Sequence, residues 1–145
     1  MSQFTLEIVN YTDKLAEIRA VRVQVFQIEQ GVDPVLEFDG NDETATHILA
    51  YLDNQPLGTT RIRYLNNQTA KIERLAVLAE ARGQGIGKQL MVKALGVVAQ
   101  NEIKEVIVHA QAHVKNLYHK LGFKQDGEEF EEAGILHVKM KKYFS

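Results

Sequence analysis

Gly83, Gly85 and Gly87 recur at every second position between Arg82 and Lys88, and they separate a stretch of alternating apolar residues from one with helical spacing. Glycines at a strand-to-helix junction expose several backbone N–H groups at a helix N-terminus. Such a turn accepts a phosphate through direct hydrogen bonds and through the positive end of the helix dipole. Arg82 and Lys88 can add charge-assisted contacts; a plain flexible turn would use the same glycines. Two common phosphate motifs fail on the letters. A dinucleotide fingerprint needs glycine where Lys88 stands, and a P-loop needs serine or threonine where Gln89 follows Gly87-Lys88. The second mismatch also argues against ATP as the ligand.

The elements that must position this loop read as follows. Thr5 to Val9 alternates as a strand, and Thr12 or Asp13 can cap a helix carrying Leu15, Ile18, Val21, Val25 and Phe26 at helical spacing. Gly31 to Thr46 reads as a long ordered loop. Strands follow at His47–Leu52, Leu57–Leu65 and Thr69–Val77, joined by turns at Asp53-Asn54-Gln55-Pro56 and Asn66-Asn67. After the glycines, Ile86, Leu90, Met91, Ala94, Leu95 and Val98 mark one face of a helix of about four turns. Val106–Ala110 is a short strand. Val114, Leu117, Tyr118 and Leu121 share a helical face with Gly122 as C′ residue, and strands from Phe123 and from Ile135 to Met140 close the chain. The order β-α-β-β-β-α-β-α-β-β predicts a mixed α/β domain with a largely antiparallel front half, one domain over residues 1–145.

The strand before the glycines changes parity: Ala70 and Ile72 share one face, Leu75 and Val77 the other. An inserted residue at a β-bulge would do this and leave backbone groups near Arg74 to Ala76 unpaired; a strand buried on both faces would read the same.

Composition narrows the function. A net charge of −2 gives nucleic-acid binding no electrostatic support, and the absence of cysteine excludes disulfides, thiolate metal sites and a cysteine nucleophile. No apolar run has the length of a membrane span, and the N-terminal residues lack a signal-peptide pattern, so a cytoplasmic address is expected. His109 and His113 straddle a strand-to-helix boundary and form no helical metal pair, so no metal is expected.

Two segments carry a family resemblance. Glu73-Arg74-Leu75-Ala76-Val77 followed by Arg82-Gly83-Gln84-Gly85-Ile86-Gly87 resembles the Arg/Gln-x-x-Gly-x-Gly/Ala signature of the GNAT superfamily of N-acetyltransferases. Leu117-Tyr118-His119-Lys120-Leu121-Gly122-Phe123 is similar to its Leu-Tyr-x-Lys-x-Gly-Phe segment. Val25 to Gln30 and Glu132 to His137 resemble a subgroup of small bacterial members. The resemblance covers nearly the whole chain and implies a splayed, mostly antiparallel sheet flanked by helices, with acetyl-CoA as cosubstrate between the bulged strand and the strand ending near Ala110. It implies that Leu75, Ala76 and Val77 pair with the pantetheine arm, that the Leu75 amide faces the thioester carbonyl, and that Arg82, Gly83, Gln84, Gly85, Ile86, Gly87 and Lys88 hold the pyrophosphate. At Gln111 the chain departs from the common asparagine; glutamine keeps the amide on a longer arm.

For catalysis, the resemblance makes Tyr118 the acid toward the departing thiolate, although its place on an apolar helix face also fits packing. Glu73 matches a carboxylate base of some members, and serves equally as a solvated strand residue or as a partner of Arg74 or Arg61. The implied acceptor is a primary amine of a small molecule or peptide, attacking directly in a ternary complex; a homodimer is in keeping with the family. A non-catalytic acyl-CoA-binding domain of the same fold is the alternative. No lysine or arginine lies between Arg22 and Arg61, so the acidic span with Glu29 and Glu37 would either attract a cationic amine or form a solvated face. His47 and His137, at strand ends, would face the acceptor side of the cleft or serve as structural residues.

Overall fold

A computed structural model describes residues 4–144. Its eight strands form one sheet: β1 (Phe4–Val9), β2 (Thr46–Leu52), β3 (Gln55–Tyr64), β4 (Thr69–Val77), β5 (Glu105–Gln111), β6 (Lys124–Gln125), β7 (Phe130–Glu132) and β8 (Ile135–Tyr143). The order across the sheet is β1-β2-β3-β4-β5-β8-β6, with β7 also pairing β8. Every pairing is antiparallel except β4 with β5. Helix α1 (Leu15–Arg22), the single turn α2 (Pro34–Glu37), α3 (Ile86–Gln100) and α4 (Lys115–Lys120) complete the fold. The mixed α/β, mostly antiparallel expectation is met. Among the described residues, no helix is long and apolar enough to cross a membrane.

The two faces of the sheet are covered separately. All six apolar positions read for α3 are buried against the β2–β5 side, where they join Ile72, Val106 and Val108. The start of α3 comes so near β3 that a Cβ at Gly58 would stand 3.0 Å from Leu90 Cδ1 and 3.3 Å from Ile86 Cγ2. Glycine there lets the helix start against the sheet and fixes where the glycine turn emerges. On the other face Val21, Val25 and Phe26 pack on Ala76.

Three local features differ from the sequence reading. Neither Thr12 nor Asp13 caps α1. The N-cap is Lys14, because Asp13 is held in a turn by Asn10, whose Oδ1 accepts from the Asp13 amide at 2.8 Å. The helix then widens into a π-helix at Val23–Glu29, which retains Val25 and Phe26 in the core while redirecting its last residues. Third, the expected loop contains α2, with Asp33 as N-cap accepting from the Val35 amide at 2.9 Å and Pro34 pre-set at N1.

Candidate active site

The parity change is a bulge. The β3–β4 register runs Gly58↔Val77, Thr59↔Ala76, then Arg61↔Glu73, so Arg74 and Leu75 stand opposite Thr60 alone. Arg74 takes φ +57, the left-handed conformation that lets the strand absorb the extra residue. Side chains change faces across it: Ile72 packs under α3, whereas Ala76 packs under Val21 and Val25, and Leu75 and Val77 take over the α3 side.

Beyond the bulge β4 leaves its other neighbour. The parallel β4–β5 pairing holds at Thr69↔Glu105, Ala70↔Val106 and Lys71↔Ile107 and then ends, although both strands continue. The gap between them opens into a cavity of about 730 Å³. Leu75, Ala76, Val77, Arg82, Gly83, Gly85, Ile86, Gly87, Lys88, Gln111 and Tyr118 all line it, as do Glu29, Glu37, Glu73 and His137; Gln84 and His47 do not.

At one end lies the glycine turn. Gly83 and Gly85 take φ +81 and +80, and a Cβ on either would meet nothing within 4 Å. Gly85 is the N-cap of α3, and the first helical bond runs from the Gln89 amide to the Gly85 carbonyl at 3.0 Å. The amides of Ile86, Gly87 and Lys88 therefore have no intrahelical acceptor and form, with the left-handed turn before them, an open nest of donors. This cradle fits a pyrophosphate. Arg82 is held over it by Glu29, whose two oxygens accept from Nη1 at 2.5 Å and Nη2 at 2.7 Å, while Arg82 Nε donates to the Val77 carbonyl at 3.0 Å. The π-helix delivers Glu29 there, and the arginine hydrogen bonds hold its carboxyl below the usual range. Glu29 thus braces the arginine rather than offering a free charge to an acceptor.

Tyr118 stands deeper in the cavity at the C-terminal end of α4. That end is a Schellman motif: the Phe123 amide donates to the Tyr118 carbonyl at 3.0 Å and the Gly122 amide to His119 at 3.1 Å, with Gly122 at φ +93. The motif folds Phe123 back edge-on against the tyrosine ring, 5.7 Å between centroids. Only 6% of Tyr118 is exposed, and burial pushes its phenol pKa up, so the proton stays on at neutral pH.

Glu73 has a different occupation. Its carboxylate accepts from Arg61 Nη2 at 2.7 Å and from Arg63 Nε, and Lys71 Nζ lies 3.4 Å away. Burial alone would raise its pKa, but the Arg63 hydrogen bond and the charges of Arg61 and Lys71 outweigh this and hold it at about 2. A carboxylate so stabilised is a poor proton acceptor. Because the folded value lies below the ordinary 4.5, the group stabilises the fold above that pH and loses the contribution as pH falls toward 2. Thermal unfolding from pH 7 to 2 should show a steep acid limb below about pH 5, and a shallower one, from a lower plateau, in Glu73→Gln.

Glu37, Asp39 and Asp42 are also neutralised. Glu37 is buried on Arg22, which also donates to Asp42 at 2.5 Å, and Arg61 donates to Asp39 at 2.9 Å and to Asp42 at 3.0 Å. Glu29 and Glu37, the residues of the acidic span that line the cavity, therefore offer no unpaired charge to a cationic amine, since Arg82 and Arg22 fold onto them. His47 is also corrected. It is 0% exposed, its Nε2 lies 2.9 Å from the Asp42 carbonyl oxygen, and burial lowers its pKa. His137, by contrast, lies on the cavity wall beside its strand partner Gln111.

Gln111 meets a residue the sequence did not single out. Gln30 and Gln111 exchange amide hydrogen bonds at 3.0 and 3.3 Å across the gap. Eighty-one positions separate them and no local pattern points from one to the other. Lys71 on the cavity wall and Phe130, packed against His109 and His137, likewise carry no recognisable spacing.

The chain belongs to the acetyltransferase (GNAT) domain family, which it matches over residues 14–144. It is 37% identical over 134 residues to the protein YyaT of Bacillus subtilis, covering 90% of each chain. The crystal structure of Escherichia coli ElaA superposes with a TM-score of 0.86 at 29% identity, over 95% of this chain and 99% of that one. At 18% identity and a TM-score of 0.75, covering 97% and 98% of the two chains, a GNAT acetyltransferase of Elizabethkingia anophelis with acetyl-CoA bound shares the fold. Acetyl transfer is thus the reaction class of this chain.

Proposed function

We propose that the chain transfers the acetyl group of acetyl-CoA to a primary amine of a small molecule or peptide, by direct attack within a ternary complex. The observation that carries this reading is one continuous cavity joining the glycine amides, the bulge and Tyr118. In it the amides of 83–88 would hold the pyrophosphate, with Arg82 and Lys88 adding charge. Leu75 to Val77 would meet the pantetheine arm, and the Leu75 amide, released from ladder register by the bulge, would donate to the carbonyl oxygen as it gains charge. Tyr118 would protonate the sulfur as the C–S bond breaks; burial keeps its proton on at neutral pH while making it a weaker acid, so transfer would be driven by the thiolate charge developing beside it. Gln111 would reach the arm only by giving up Gln30.

On the side formed by the π-helix and α2 the cavity wall is aromatic and aliphatic, with Phe26, Val32 and Leu36, and Glu37 there is already paired. That lining favours an amine with an apolar body over a polyamine. The test is thiol release from acetyl-CoA with benzylamine, glucosamine, spermidine and a lysine peptide. In Tyr118→Phe, kcat should fall by about 10²-fold or more while acetyl-CoA binding by calorimetry is unchanged. Binding without turnover on any amine, and unaffected by the phenylalanine, would instead favour a non-catalytic acyl-CoA-binding domain.

A further inference from the structure

An aliphatic amine acceptor arrives at neutral pH largely as an ammonium and must lose a proton before it can attack. Of the four carboxylates on the cavity wall, Glu29 is held by Arg82, Glu37 by Arg22, Glu73 by Arg61 and Arg63, and Glu132 by His109. We propose that His137 is the proton acceptor, with Glu132 and His109 as the groups that position it; the inference rests on the acetyl-transfer reading above.

The ring is oriented. His137 Nδ1 lies 2.7 Å from the Ile135 carbonyl oxygen, which can only accept, so Nδ1 carries the proton of the neutral ring and the lone pair falls on Nε2. Nε2 in turn lies 3.8 Å from Glu132 Oε2, so a proton taken up there meets a carboxylate. The other oxygen of Glu132 is 3.0 Å from His109 Nδ1, which ties the carboxylate to the neighbouring strand. Phe130 closes the arrangement: it stacks on His137 at 6.0 Å and 25°, and meets His109 edge-on at 5.2 Å and 79°. The ring is 7% exposed and contributes to the cavity wall beside Gln111. The charged and titratable groups facing it are Glu132 on β7, His109 on β5, His113 in the turn after β5, and Lys71 on β4, all of them on the cavity wall.

The proton count closes. One ammonium proton passes to Nε2, directly or through one water, and frees the nitrogen lone pair. That pair forms the C–N bond, and the C–S pair leaves with sulfur, which takes the phenolic proton of Tyr118. The second nitrogen proton restores the phenol, and the imidazolium gives up its proton to solvent, so one proton is released per turnover.

Three measurements decide it. Nitrogen-detected NMR of the wild-type protein should show the neutral His137 ring protonated on Nδ1; a ring protonated on Nε2 overturns the proposal whatever the acceptor. His137→Asn keeps a donor for the Ile135 carbonyl but has no base. With benzylamine it should lose about 10²- to 10⁴-fold in kcat/KM and the histidine limb of the pH profile, with acetyl-CoA affinity intact. Imidazole added to His137→Ala should restore part of the rate. A variant that keeps the wild-type rate and profile overturns the proposal. Failure of wild-type protein to bind acetyl-CoA at all is the distinct result that removes the acetyl-transfer reading.

Discussion

Arg61→Met should destabilise the fold by about 3–5 kcal/mol, read as a lower urea midpoint at pH 7 with an unchanged slope. Arg61 is fully buried and donates to Asp39, Asp42 and Glu73 at 2.7 to 3.0 Å. Methionine fills much of the same volume, so the loss is not a cavity; it is three carboxylates left short of a cation in a low-dielectric site. Against a total stability of about 5–15 kcal/mol for such domains, this takes a large share. Arg63, more exposed and bonded to Glu73 alone, is the internal control, and Arg63→Met should cost under about 1–2 kcal/mol. Adding Glu73→Leu to Arg61→Met should give no recovery, because Glu73 keeps Arg63 and Lys71 as partners and its removal would leave both without a carboxylate. A cost no greater than that of Arg63→Met would mean that burying Arg61 among three carboxylates adds no stability beyond that of the more exposed pair. The cluster also bears on the site, since Arg74 at the bulge donates to the Glu37 carbonyl and to Asp39 at 3.2 Å. Loosening Asp39 therefore loosens the turn that sets the Leu75 amide, and acetyl transfer should weaken in the folded variant as well.

What the sequence made legible was what local spacing encodes. The six-residue face of α3 is a 3.6-residue period and is buried throughout; the parity change in β4 required either a bulge or burial on both faces, and the bulge is present. Gly122 needed only its place after a helical face to be read as the residue that ends α4. Charge was less legible. Counting along the chain showed a long span without lysine or arginine, yet Arg22 and Arg61, the residues that bound this span, close on Glu37, Asp39 and Asp42 from a helix and a strand. Ion pairing at separations of 15 to 22 positions is set by topology, which spacing does not carry. The two histidines make the same point. Both sit on strands at similar positions, but His47 pairs with Arg61 inside the covered half of the sheet, whereas His137 pairs with Gln111 where the sheet has parted. The π-helix was illegible because it leaves Val25 and Phe26 buried as an α-helix would, while turning Glu29 toward Arg82 and Gln30 toward Gln111.

Gly85→Glu should abolish acetyl-CoA binding, with a loss of at least about 10²-fold in affinity by calorimetry, while leaving a folded protein. The separation of these effects follows from the geometry. At φ +80 any side chain costs about 1–2 kcal/mol of backbone strain, but the new Cβ meets nothing within 4 Å, so no packing is lost. Gly85 is the N-cap of α3, so a carboxylate carried there would stand beside the free amides of Ile86, Gly87 and Lys88 and repel the pyrophosphate or compete with it. Gly85→Ala isolates the strain: it carries the same backbone cost and no charge, and it should keep most of the affinity. Raising the salt concentration should narrow the difference between the two variants, since part of the glutamate effect is repulsion between like charges. If the glutamate variant binds acetyl-CoA as the wild type does, the anion is held elsewhere, and the turn from Arg82 to Lys88 is not the pyrophosphate cradle. If alanine alone removes binding, the left-handed backbone rather than access to the amides is what the ligand requires.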